Sequence, residues 1–192
     1  MRIIDVSREL FSAPVYPGDP EPHRDLVRRM EMGDGFNLSG FYTGCHSATH
    51  VDAPRHFIED GKTIEQLELN QFMGECTVVK AEGIITGADI DDILPTTRKI
   101  ILFKGDGTAF LSQSGAFALA DAGITLVGTD ATSIETGDDT FAAHKELLSA
   151  EILILEGLDL SQVEPGNYRL IALPLLLAGS EASPVRAVLM QE

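Results

Sequence analysis

Cysteines and basic residues are scarce in this chain, and no apolar run in it is long. The two cysteines, Cys45 and Cys76, could form at most one disulfide, which excludes a cross-linked secreted scaffold. The opening MRIIDVSREL lacks the extended apolar core of a secretory signal, and with the two thiols this predicts a reduced, cytoplasmic protein. The most apolar stretch, LIALPLLLAG, covers ten residues and contains Pro174. A membrane span needs roughly 20, so this run reads as a core strand and nothing is expected to cross a bilayer. Fourteen Lys and Arg stand against 30 Asp and Glu, a net charge of −16. So acidic a surface repels phosphate backbones and anionic headgroups, which disfavours nucleic acid and membrane partners and leaves small molecules. The imbalance is not uniform: residues 1–30 hold five acids and five bases. No repeat with a period of roughly 20 to 50 residues and no low-complexity tract is present, which sets repeat architectures aside.

What is present is an ordinary globular composition, 44% hydrophobic and 23% charged over 192 residues, the size of one domain with a full core spanning residues 1–192. The first third reads as strands and loops: a short apolar run at Ile3 to Val6, a turn-rich VYPGDP, and a strand at Phe36 to Thr43. Residues 44–62 read as a long polar loop containing Pro54. From Glu75 onward, apolar runs (CTVV, KIILF, ITLVG, ILILEG) alternate with helical stretches (ADIDDIL, SQSGAFALADAG, TFAAHKELLSA), the pattern of βαβ units around a largely parallel sheet. IILF and ILIL are continuously apolar, as strands covered on both faces should be. Strands at Tyr168 to Leu173 and Val185 to Met190 close the chain. The expectation is an α/β fold with an antiparallel N-terminal part.

The histidine count of five is ordinary, but His46, His50 and His56 fall within HSATHVDAPRH together with Asp52. These four cannot share a helix face, because Asp52 lies about 200° around from His50 and Pro54 breaks helices. A fully extended strand would separate His46 from His56 by roughly 33 Å, so the segment must curl for the groups to converge. A locally extended T-H-V-D does put His50 and Asp52 on one side, about 6.6 Å apart at Cα, within reach of one ion or a close pair. Imidazole and carboxylate donors without a cysteine set suit Zn, Mn or Fe in an open site.

Glu156 ends ILILE, a strand expected to be buried on both faces, where an unpaired carboxylate costs several kcal/mol. It needs a cation or an arginine. His144 lies on the helix just before that strand, so a helix-to-strand hairpin could join the two, at the carboxyl end of a strand, where α/β proteins place their sites. Asp130 ends ITLVGTD in the same topological position and reads as a structural acid. GDG at 105–107 follows a strand but lacks a phosphate-loop frame and reads as a turn. Cys45 beside His46 would be a thiol and base only if both faced one way, which neighbours on an extended chain do not. His23 reads as a surface residue.

Taken together, HSATHVDAPRHF resembles the HxGTHxDxPxH signature of the metal-dependent cyclase-like hydrolases, the family that includes bacterial kynurenine formamidase and isatin hydrolase. DVSREL and VYPGDP are similar to the family's opening strand and PGD loop, GTDATSIE to its GxDxxSxD segment, HKELLSAEILILEGLDL to its HHxLL…ILENL segment, and LPLLLAGSEASPVRAVLM to its closing strands. The resemblance implies a swivelling β/α/β fold with a mixed sheet, a homodimer or higher homo-oligomer, and one or two divalent ions, zinc first and manganese second. It implies His46, His50, Asp52, His144 and Glu156 as ligands, with Asp52 able to bridge two ions, and His56 as the catalytic histidine. Departures are Ala48 for Gly, Lys145 for the second His of a pair, a shorter stretch from Lys104 to Ser114, and Tyr16 where many members have Trp.

The activity so implied is hydrolysis of an amide-type bond, arylformamidase-like, turning N-formylkynurenine into kynurenine and formate. Alternatives are hydrolysis of a lactam, lactone or ester, cyclase or dehydratase chemistry, and, in another class, a catalytically idle metal-binding protein.

Overall fold

The computed structural model describes residues 1–137 and 140–191. In chain order its elements are β1 (Arg2–Asp5), β2 (His23–Arg28), β3 (Leu38–Tyr42), β4 (His50–Asp52), β5 (Met73–Lys80), β6 (Gly83–Ile85), α1 (Gly87–Ile93), β7 (Ile100–Lys104), β8 (Ala109–Leu111), α2 (Gln113–Asp121), β9 (Leu126–Thr129), α3 (Ala142–Ser149), β10 (Leu153–Glu156), β11 (Gly166–Ile171), β12 (Ala182–Pro184) and β13 (Val188–Gln191). One mixed sheet runs in the order β1-β13-β11-β5-β7-β9-β10-β4-β12. Its centre, β5-β7-β9-β10, is parallel, and both flanks are antiparallel.

The central strands are apolar throughout because both faces are covered. In β7, Ile100 and Leu102 enter one core with Leu126, Leu153 and Leu155. Ile101 and Phe103 enter the other, against Ile90 of α1, Leu119 of α2 and Leu147 of α3. The helices begin where side chains satisfy their free amides: Thr86 accepts from the Asp89 amide and Ser112 from that of Gly115. No described helix is long and apolar enough to cross a membrane.

The α/β alternation from Glu75 follows the sequence reading, with four differences. The loop expected over 44–62 contains β4 and a 3₁₀ turn at Pro54–His56. LIALPLLLAG is a core strand only at its start: Leu170 and Ile171 end β11 and Leu170 and Ala172 are buried, but Leu173, Leu175 and Leu176 are 41%, 50% and 86% exposed. Pro174 forms only an isolated bridge to Val185, since proline cannot extend a ladder. The closing strand begins at Val188, later than Val185. The fourth is a strand not expected from sequence, β2, which pairs with β3 in a hairpin outside the main sheet; His23 opens it and is at the surface, as expected.

The turn at Gly105–Gly107 serves the sheet directly. The amides of Gly105, Asp106 and Gly107 all donate to the Asp130 carboxylate at 2.9–3.1 Å, so this backbone cradle is filled by the protein's own anion. Asp130 is thus structural, tying the end of β7 to the end of β9. Asp130→Ala removes the acceptor of three amides, that of Gly105 buried and those of Asp106 and Gly107 partly so, and urea unfolding is expected to show a loss of about 1–3 kcal/mol.

Candidate active site

The site is assembled by the short strand β4 lying antiparallel to β10. Its register sets His50 opposite Glu156 and Asp52 opposite Ile154, so period-two alternation points His50 and Asp52 to the same side. All three acidic and imidazole groups are buried, at 2% for His50, 0% for Asp52 and 4% for Glu156. Close packing behind Glu156 fixes this register. Gly157 has φ +66°, and a Cβ there would lie 2.2 Å from the Ala48 carbonyl oxygen, an approach that only glycine permits. Thr49 Oγ1 donates to the Gly157 carbonyl at 2.6 Å. Ala48 has φ 56°, a left-handed conformation costing about 1–2 kcal/mol for an L residue. The glycine of the signature is thus replaced at a position whose backbone favours glycine.

From the other side α3 delivers His144, buried at 4%, with Nε2 3.2 Å from Glu156 Oε1. The helix-to-strand hairpin expected from sequence is what joins them. Glu156 Oε1 also accepts the Ile134 amide at 2.7 Å, while Oε2 lies 3.3 Å from His50 Nε2. His46 Nδ1 lies 3.0 Å from Asp52 Oδ1, and its Nε2 lies 3.3 Å from Glu181. His56 stacks at 4.1 Å between ring centroids on His46 and at 6.0 Å from His144. All six residues singled out from sequence therefore meet at one place.

No Lys or Arg is paired with Asp52 or Glu156 among the described residues; their ion-pair partners are histidines. Burial opposes ionisation of Glu156, but His144 and His50 outweigh it and hold the carboxyl far below its usual range. Burial likewise favours neutral rings, yet the carboxylates push His50 up to about 9 and His144 up to about 10. Burial and the neighbouring His46 and His144 push His56 the opposite way, below its ordinary value. It is the one site histidine favoured as a neutral base.

The donors suit a divalent cation. His50 Nδ1 faces the Ala48 carbonyl at 3.0 Å; a carbonyl only accepts, so Nδ1 carries a proton and Nε2 is the nitrogen that would give its lone pair to a cation. That Nε2 and both Asp52 oxygens are buried without a hydrogen-bond partner, Nε2 lying 3.6 Å from Asp52 Oδ1. Donor atoms of His50, Asp52 and Glu156 lie within 4.8 Å of one another, as do those of His46, Asp52 and His56. Asp52 belongs to both groups. His144 lies outside these two groups, and His56 is near enough to serve as a ligand itself.

A cavity of about 220 Å³ opens over these groups, lined also by Tyr16, Asp19, Thr132 and Ser133. Phe57 and Phe141 line it with ring centroids 5.1 Å apart. A larger cavity, about 450 Å³ beside Arg8 and Arg186, contains none of the clustered donors. Of the departures, Tyr16 faces the site cavity, whereas the 104–114 segment does not line it. Lys145 is exposed and donates to the Thr140 carbonyl. Sequence reasoning gave no role to Glu135, Glu181, Phe57 or Phe141. Glu135 closes GTDATSIE just beyond β9, and only the packing of α3 brings it to His144. Cys45 is no nucleophile: burial and Glu181 raise its pKa, and the His46 ring is engaged elsewhere.

The Cyclase family model matches residues 4–136. A kynurenine formamidase of Salinibacter ruber is 39% identical over 206 residues, covering 98% of this chain and 97% of its own. A solved structure described as a potential metal-dependent hydrolase with cyclase activity is 32% identical, with a TM-score of 0.86 over 100% of this chain and 98% of that one. Isatin hydrolase A from Labrenzia aggregata has a TM-score of 0.87 at 20% identity, over 100% and 94% of the two chains, a likeness of fold alone.

Gly157→Ala tests the packing that sets the register. Left-handed strain and the clash with Ala48 must displace the Ala48–His50 segment, so urea unfolding is expected to show a loss of about 2–4 kcal/mol, and zinc affinity should fall at least about tenfold. Unchanged stability and affinity would show that the loop is positioned by something else.

Proposed function

The chain belongs to the cyclase family, and from that premise we propose that it is a metal-dependent hydrolase of a carbon–nitrogen bond other than a peptide bond, converting N-formylkynurenine to kynurenine and formate. The observation that carries this reading is the convergence of buried imidazoles and carboxylates, among them His50 Nε2 and both Asp52 oxygens without hydrogen-bond partners, under a cavity lined by two phenylalanines. The end-to-end similarity to a kynurenine formamidase supports the substrate class. The aromatic wall suits an aryl amide, whose ring can stack on Phe57 and Phe141.

His46, His50, Asp52, His144 and Glu156 would hold one or two divalent ions, zinc first and manganese second, with Asp52 shared between them. When bound, such a cation supplies Lewis-acid polarisation of the substrate carbonyl and lowers the pKa of water by several units toward about 7. His56 faces the cavity with no hydrogen bond to its ring among the described residues and a lowered pKa. It takes the proton of the attacking water at a ring nitrogen and returns it to the departing amine nitrogen. Phe57 and Phe141 orient the ring and exclude bulk water.

The protein works in the cytoplasm, where the two free thiols, Cys45 and Cys76, stay reduced. It acts as a homodimer of single domains. The apolar β2–β3 hairpin, with Leu26, Val27 and Phe41 at 45%, 60% and 59% exposure, supports this, and β2 lies in the charge-balanced first 30 residues, where two acidic copies repel least.

Two variants test the roles. His56→Ala is expected to keep its metal while turnover falls by roughly 10²–10⁴-fold, and Asp52→Ala to lose both metal and turnover. Metal analysis with formate release measures each. Loss of metal in His56→Ala would make that residue a ligand, and full activity in either variant would defeat the scheme.

A further inference from the structure

Glu135 is buried, 7% exposed, and its two oxygens are committed in different directions. Oε2 accepts the Ala143 amide at 2.7 Å, and Oε1 meets His144 Nδ1 at 3.0 Å. The first contact serves the helix: Phe141, at the N-cap of α3, offers no side-chain acceptor, so one of the free amides of the first turn goes to Glu135 instead. The second contact bears on the site. A carboxylate only accepts, so Nδ1 carries a proton toward Glu135; Nε2 meets a second carboxylate, Glu156 Oε1, at 3.2 Å, and is the nitrogen whose proton a bound cation would displace.

We propose that Glu135 is a positioning residue for metal binding: its carboxylate holds Nδ1–H of His144 and thereby presents the Nε2 lone pair to the cation. This rests on reading His144 as a ligand. Within the same site His50 is oriented by the same device, with the neutral Ala48 carbonyl as acceptor of its Nδ1–H. The difference is charge. An anionic acceptor makes a stronger hydrogen bond and raises the basicity of the ring it holds, and His144 needs this more because it is carried on a helix rather than pinned in the sheet. Leu147 and Leu148 of that helix are fully packed in the core, so α3 cannot shift to let the ring find its own orientation. The buried acid at this position therefore decides which nitrogen faces the ion.

The test uses the full chain, stripped of metal and titrated with zinc against a chromophoric chelator. Glu135→Gln keeps an amide oxygen for the Ala143 N–H but removes the charged acceptor from His144. Its apo form is expected to melt within a few degrees of the parent, while zinc affinity falls about 10- to 100-fold. Unchanged affinity with a lowered melting temperature would reduce Glu135 to a helix cap and overturn the proposal. His144→Ala, titrated in parallel, separates the premise: zinc binding as tight as in the parent would remove His144 from the ligand set and the proposal with it. Independently of any variant, a long-range ¹H–¹⁵N spectrum of the zinc-loaded parent should show His144 protonated at Nδ1. Protonation at Nε2 would overturn the proposal even if Glu135→Gln failed to fold.

Discussion

Two carboxylates, Asp52 and Glu156, are buried on one side of β4 and β10 with no lysine or arginine paired to them among the described residues. An isolated buried carboxylate costs several kcal/mol, so the surroundings are built to compensate these two charges. Strand β4 pairs with β10 so that His50 faces Glu156. Gly157 and Ala48 pack closely enough to hold that pairing in register, and α3 turns back into β10 so that His144 reaches the same carboxylate. Protonated imidazoles can balance the charge, but they leave both oxygens of Asp52 without a hydrogen-bond donor. A divalent cation would satisfy those oxygens and release the protons from the rings.

His56 stands apart from this compensation. It lies beside the cluster, half-buried, where burial and its cationic neighbours favour the neutral ring. The same field that drives His50 and His144 toward protonation therefore leaves one imidazole free to accept a proton. Another acid at the end of a parallel strand, Asp130, is removed from the chemistry by the amides of the 105–107 turn.

Much of the site was legible in the sequence because its first half lies in one segment. Proline at position 54 and the spacing of His46, His50, Asp52 and His56 excluded both helix and straight strand, which left convergence as the alternative. Glu156 announced itself as an acid ending an otherwise apolar strand, and His144 as the imidazole one hairpin away. The β4–β10 register was not legible, since a strand of three residues within a polar, proline-containing stretch has no periodicity to detect. LIALPLLLAG misled for the opposite reason: hydrophobicity alone does not distinguish a core strand from exposed leucines flanking Pro174. Glu135 carried no local signal at all, because its two partners come from α3 and only tertiary packing brings them to it.

The central claim is that this cluster binds a divalent cation which, with His56, hydrolyses an aryl formamide. It is tested most directly by measuring formate release from N-formylkynurenine by the purified protein, first stripped with a chelator and then reloaded with stoichiometric zinc or manganese. The account predicts no release from the stripped protein, bound metal after reloading, and formate and kynurenine appearing in equal amounts. Hydrolysis at an undiminished rate by protein shown to be metal-free would contradict it, as would bound metal with no hydrolysis across formamides, lactams and esters.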